Sequence, residues 1–136
     1  MKILIDNNVI LDAFLARKTF NTAAEQIMSA CADVQKGCIS TNSLTDIFYV
    51  LRKSLDTTTA KAVIRKMMNL FEIITVNEDD CRKALSLNID DFEDALVVVC
   101  ARKAGADFIV TRDEKFLKTV SPAAIISPDR LLEKLI

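Results

Sequence analysis

Five aspartates stand where a chain alternating strands and helices would gather acids at one end of a sheet. Asp6 ends the apolar run Lys2–Ile5, and Asp113 follows Asp107–Val110 by the short step Thr111-Arg112. Asp46 falls in the first turn of a helix starting at Ser43. Asp91 and Asp94 fall in the first turns of a helix opened by Asp90, three residues apart and so on one face. Carboxylates that converge repel one another and stay ionised together only around a cation. Oxygen ligands without His or Cys select Mg²⁺ or Mn²⁺ over zinc. A water held by such an ion could be activated and aimed at phosphorus, and a second ion could steady the leaving oxygen. Each acid also has a plainer use. Asp46, Asp91 and Asp94 could serve a helix dipole, Asp113 could be an N-cap, and Asp6 could begin a turn with Asn7-Asn8.

Composition narrows the chemistry. The chain of 136 residues has no histidine, so Ser-His-Asp triads, Cys-His pairs, H-E-x-x-H zinc sites and histidine-based cleavage of RNA are excluded. The four cysteines, Cys31, Cys38, Cys81 and Cys100, form no C-x-x-C pair and read as reduced thiols. With only two glycines, the chain has no G-x-x-x-x-G-K-[ST] loop for a nucleoside triphosphate. A phospho-acceptor receiver domain would want an acidic pair after its first strand, where Asn7-Asn8 stands instead. The net charge of −1 supplies no global attraction to nucleic acid, so a polyanion would need a local basic rim or a metal. No apolar run reaches membrane-spanning length, and Met1–Asp6 meets an acid too early for a secretory core; the expected location is the cytoplasm.

The elements that must position these acids follow from periodicity. The pattern predicts a strand at Lys2–Ile5, helices at Asn8–Leu15 and Asn21–Val34, a stop at Gly37 and a short strand at Cys38–Ile39. Helices follow at Ser43–Leu55 and Thr57–Leu70, the latter capped by one of Thr57–Thr59. A strand at Glu72–Val76 precedes a helix capped by Asn77 and running through Leu87. Asp90, with Glu93 completing a capping box, opens the helix Asp91–Ala104, which Gly105 stops. Asp107–Val110 is the fourth strand, Glu114–Lys118 a short helix and Ile125–Ile126 a small edge strand. Ser127-Pro128 begins the terminal helix as cap and first residue. Short strands separated by helices imply parallel pairing with helices on both faces, and sites in such sheets form beyond the carboxyl ends of the strands.

Three segments resemble the PIN-domain family, in order and across nearly the whole chain. Ile3-Leu4-Ile5-Asp6-Asn7-Asn8-Val9-Ile10-Leu11-Asp12 resembles its opening, Asp91-Phe92-Glu93-Asp94-Ala95-Leu96 its central acidic helix start, and Ala104–Phe116 its last strand and acid with a trailing Phe. The resemblance implies one domain over residues 1–136, a three-layer α/β/α sandwich around a central parallel sheet of four to five strands. It also implies a divalent-metal ribonuclease using Mg²⁺ or Mn²⁺. Many small members are toxins of toxin–antitoxin pairs and often dimerise, so an RNA substrate, an antitoxin protein and a homodimer are the implied partners.

Carried over residue by residue, Asp6, Asp94 and Asp113 match the metal-site acids, with Asp91 an extra ligand or outer acid. Asp46 falls where members usually carry Glu and is one methylene shorter, so it acts through a water or not at all. Asn8 matches a family Asn that orients Asp6 or a bound water, and Thr111 matches a hydroxyl before the last acid. Asn7 stands where a hydroxyl residue is common. Asp12, inside the first helix, faces solvent or pairs with Arg17 or Lys18. The implied reaction is hydrolysis of RNA by an in-line water, leaving a 5′-phosphate and a 3′-hydroxyl. Arg112 and Lys115 could bind substrate phosphates, or be solvated helix ends; Phe14 and Phe20 could stack on a base or pack in the core. A competing reading keeps the fold but weakens the site, giving an interaction module that works by binding a protein or RNA partner.

Overall fold

The computed structural model describes residues 1–135. Strands β1 (Lys2–Ile5), β2 (Lys36–Ser40), β3 (Glu72–Ile74), β4 (Phe108–Val110) and β5 (Ile125–Ile126) form one sheet in the order β3-β2-β1-β4-β5. Every pairing is parallel. Helices α1 (Asn7–Phe14) and α2 (Asn21–Asp33) connect β1 to β2, and α3 (Thr41–Ser54) and α4 (Thr57–Leu70) connect β2 to β3. Helices α5 (Glu78–Ser86) and α6 (Phe92–Ala104) carry the chain from β3 to β4, across to the other side of β1. Helix α7 (Glu114–Leu117) lies between β4 and β5, and α8 (Pro128–Leu135) follows. The implied three-layer α/β/α architecture is thus present, with five strands.

Strand residues alternate between two cores, as the two-residue pleat period requires. Ile3, Ile5, Ile39 and Val110 pack against buried residues of α1 to α4 and α8, among them Ile10, Ile27, Ile47, Met67 and Leu131. Leu4, Cys38, Ile74 and Ile109 face the opposite layer, against Val98, Cys100 and Ala101 of α6 and Phe116 of α7. A smaller cluster, Ala84, Ala95, Leu96 and Val99, joins α5 to α6. Both faces of the sheet are covered, which is why the strands are apolar throughout rather than alternating. Cys31, Cys38, Cys81 and Cys100 are all free thiols.

The structure corrects several boundaries, and the reasons are local hydrogen bonds. Gly37 does not stop α2; it lies inside β2, which runs longer than Cys38–Ile39. Its role is steric, because Phe71 and Cys31 close over the position a Cβ would fill. Helix α3 begins at Thr41, two residues earlier than periodicity predicts, because the Ser40 hydroxyl accepts from the Ser43 amide. Asp46 therefore sits in the second turn rather than the first. Helix α4 is capped by Asp56, not by a threonine: its carboxylate accepts from both the amide and the hydroxyl of Thr59. Asn77 does cap α5, in a capping box with Asp80. Helix α6 is capped by Asp91 instead of Asp90, its carboxylate accepting from the Asp94 amide, so Glu93 closes no capping box. Gly105 ends α6 in the left-handed conformation, with φ of 69°. Among the described residues no helix is long and apolar enough to cross a membrane.

A Cβ added at Gly37 would lie 2.6 Å from the Phe71 ring and 2.9 Å from Cys31 Cβ. Gly37→Ala is expected to destabilise the fold by about 1–3 kcal/mol through overpacking. A urea-denaturation midpoint equal to that of the wild type would contradict this.

Candidate active site

The chain order and the sheet order part company beside β1. From β1 the chain builds outward through β2 and β3, then returns to place β4 on the other flank. In open parallel sheets the crevice at such a reversal, beyond the carboxyl ends, is where ligands bind. Asp6 and Asp113 leave the sheet there. The Asp6 amide continues the ladder by donating to the Val110 carbonyl at 3.0 Å, so the two strand ends are held level.

Asp6 is the most elaborately held side chain of the crevice. One carboxylate oxygen accepts from the Asn7 amide at 2.8 Å. The other accepts from the Thr111 hydroxyl at 2.8 Å and from Asn8 Nδ2 at 3.2 Å. Asn8 Nδ2 also donates to Thr111 Oγ1, and Asn8 Oδ1 accepts from the Arg112 amide. Thr111 is fully buried, and its hydroxyl oxygen accepts from the Asp113 amide at 3.1 Å. Asn8 and Thr111 thereby tie the ends of β1 and β4 into one network. Asp113 is exposed and caps α7, accepting from the Lys115 amide.

The remaining acids come from helix starts on two layers. Asn7 Nδ2 donates to Asp46 at 3.2 Å, so α3 is linked to α1 across the crevice. Asp94 is half-buried on α6, and Asp91, as its cap, stands beside it. The acids sense one another's charge. Asp94 is pushed up to about 6, by burial first and then by Asp91, Asp6, Asp113 and Glu93. Asp6 is also raised, by burial above all and by Asp113, against the lowering effect of its three hydrogen-bond donors. Glu93 is raised by burial and by Asp46, Asp6 and Asp91, and its carboxyl lies within hydrogen-bonding reach of Asp46. Glu93 is the site residue that sequence reasoning assigned elsewhere, to a capping box. The available signal was a further acid in the first turn of α6, directly beside Asp94.

Charge coupling is not the same as an ion-sized cage. Among the described residues no three acids stand close enough together to share one ion. The chemistry of the donors nevertheless fits a hard dication: the acids that meet are carboxylates, mutually repelling and free of His or Cys. Asn7 Oδ1, beside Asp6 and Asp46, is buried without a hydrogen-bond partner, an acceptor that a water of a hydrated cation would satisfy. Asp6, Asp94 and Asp113 are the acids that would hold such an ion.

The cations expected at this rim divide. Lys115 is exposed and lines a cleft of about 270 Å³ with Asp90, Asp91 and Asp94. Arg112 instead turns back to Asp12, which its Nε and Nη2 grip as a fork. Asp12 is only 1% exposed and also accepts from Arg17 at 3.4 Å. It therefore neither faces solvent nor pairs with Lys18; Arg112, distant in sequence, is its principal partner. Phe14 packs against the larger core, whereas Phe20 is 44% exposed.

A family model described as PIN domain matches residues 2–115. Ribonuclease VapC1 of Aquifex aeolicus (strain VF5) is 32% identical over 121 residues, covering 85% of this chain and 83% of that protein. VapBC2 from Rickettsia felis, bound to a DNA fragment from their promoter, contains a chain of similar fold with a TM-score of 0.72 and 17% identity, covering 93% of this chain and 98% of that one. VapC20 of Mycobacterium tuberculosis, a sarcin–ricin loop cleaving toxin, superposes with a TM-score of 0.69 and 16% identity, covering 84% and 92%.

The raised Asp94 makes a thermodynamic prediction with a definite sign. A folded-state value above the unfolded one contributes stability that is complete below pH 3.8 and is lost as pH rises through about 6. In a metal-free buffer, Asp94→Asn should therefore gain melting temperature over the wild type near neutral pH and gain nothing below pH 3.8. A difference between the two proteins that stays constant across this range would refute the coupling.

Proposed function

Because the chain belongs to the PIN-domain family, we propose that it is a divalent-metal-dependent endoribonuclease, the toxin of a type II toxin–antitoxin pair. The observation that carries the chemistry is the set of acids at the switch point of the sheet: Asp94, pushed up to about 6 by burial first, is raised further by Asp91, Asp6 and Asp113. The relative named as a ribonuclease supports RNA as the substrate. Solved structures of similar fold, among them a toxin and a toxin–antitoxin complex from Klebsiella pneumoniae, support a protein antitoxin as partner.

In this reading each side chain has a task. Asp6, Asp94 and Asp113 would hold the ion, with Asp91, the cap of α6, adding negative charge to Asp94. Bound Mg²⁺ or Mn²⁺ would supply an acidified water and a polarised phosphoryl oxygen. Asn8, Thr111 and the Asn7 amide fix Asp6 in one orientation, which lowers the reorganisation needed when substrate arrives. Asp46, one methylene shorter than Glu, is steadied by Asn7 and reaches the centre through a water. Lys115, lining the cleft beside Asp94, is the cation placed to meet a substrate phosphate. Water would attack phosphorus in line as the P–O3′ bond breaks, and net transfer of one water proton to O3′ leaves a 3′-hydroxyl and a 5′-phosphate.

One observation favours a second reading, a binding module with a weakened site: the described acids are not gathered at ion-sharing distance. Purified protein and labelled single-stranded RNA separate the two. Cleavage that requires Mg²⁺ or Mn²⁺ and stops with EDTA supports the nuclease; its absence at every metal tried supports the module. Asp6→Asn and Asp113→Asn are each expected to lower cleavage at least about a hundredfold with little loss of fold by circular dichroism. Wild-type rates in both variants would remove these acids from the mechanism.

A further inference from the structure

Phe20, immediately before α2, is a large apolar side chain left 44% exposed. Its ring stacks on the Arg112 guanidinium, with the central carbon 4.1 Å from the ring centroid. Arg112 is not free to swing, because the buried Asp12 takes its Nε and Nη2 and the Asn8 side chain takes its amide. Among the described residues Nη1 makes no contact of this kind, and the Arg112 side chain is 30% exposed. Arg112 is also the residue between Thr111, which holds Asp6, and Asp113. A rigid cationic side chain and a partly exposed aromatic ring therefore sit together beside the strand end that leads into Asp113. Unpaired bases are recognised by stacking on aromatic rings and arginine planes, largely without regard to sequence.

We propose that Phe20 and Arg112 form a stacking platform for the unpaired nucleobase flanking the phosphate that is cut, with Asp12 as the residue that holds the platform flat. The proposal rests on the nuclease reading and names a part of its substrate-binding surface. Asp12 and Arg17 anchor the platform from the α1 side, and Asn8 joins it to Asp6, so base binding and the acidic centre share one frame. The plane selects single-stranded RNA over duplex, since a paired base has no free face to offer.

The chain has no tryptophan, so Phe20→Trp installs the sole indole of the protein at the platform. In an Asp94→Asn background with Mn²⁺, indole emission is followed while a short single-stranded RNA of mixed sequence is added. The anisotropy of the same RNA carrying a label reports binding independently. The expected result is quenching that tracks the anisotropy rise, with a matched duplex quenching little. In a separate arm, Phe20→Leu keeps apolar bulk but lacks a π-face. It should bind RNA about tenfold more weakly while melting at the wild-type temperature. Emission unchanged at saturating RNA, equal quenching by duplex, or wild-type affinity in Phe20→Leu would each overturn the platform and leave the nuclease reading standing. Failure of the wild-type protein itself to bind or cleave RNA would overturn both.

Discussion

Parallel pairing of β1 with β4 imposes the central constraint on this molecule. Two adjacent strands of the same polarity must end at the same edge, so Asp6 and Asp113 are delivered to one edge of the sheet whatever their mutual repulsion. The helices that start on either layer add Asp46, Glu93 and Asp94 to the same region. The fold answers with neutral donors: the Asn7 amide, Asn8 and the Thr111 hydroxyl all serve Asp6. These bonds lower its pKa, yet burial and Asp113 still leave it raised. The site thus carries an electrostatic cost that the rest of the domain must offset, a common state of affairs where function and stability compete.

Behind the site lies a second charged pair. Asp12 is buried in α1, and Arg112 reaches it from the end of β4, joining elements a hundred positions apart in the chain. A buried pair of this kind adds little net stability, but breaking it leaves an uncompensated charge and costs about 3–5 kcal/mol. Its value is geometric. It fixes the residue between Thr111 and Asp113, and so limits how far the strand end can shift when neighbouring carboxylates change their charge.

The two polar networks are joined rather than separate. Asn8 accepts from the Arg112 amide with its carbonyl oxygen and donates to Asp6 and Thr111 with its amide nitrogen. One side chain therefore links the buried ion pair to the acidic crevice. Asn7 performs the corresponding link toward α3 through Asp46. The two asparagines following Asp6 thus explain why a centre assembled from four elements can hold one shape.

Read alone, the residue order determined that strands and helices alternate, that the sheet is parallel and that Asp6 and Asp113 follow strands at the sheet's carboxyl edge. Apolar periodicity is a local property, and the acids beyond β1 and β4 are adjacent to it in the chain. It also revealed the resemblance to the PIN-domain family through three ordered segments. Helix starts were less legible, because Asp56 competes with Thr57–Thr59, and Asp91 with Asp90, and only backbone geometry decides which oxygen meets which amide. Long-range choices were not legible at all. That Arg112 turns from the crevice to Asp12, that Asn7 reaches Asp46 and that Glu93 joins the acids rather than a capping box all depend on where distant elements come to rest. Side-chain partners across a fold are set by packing in three dimensions, and no spacing along the chain encodes them.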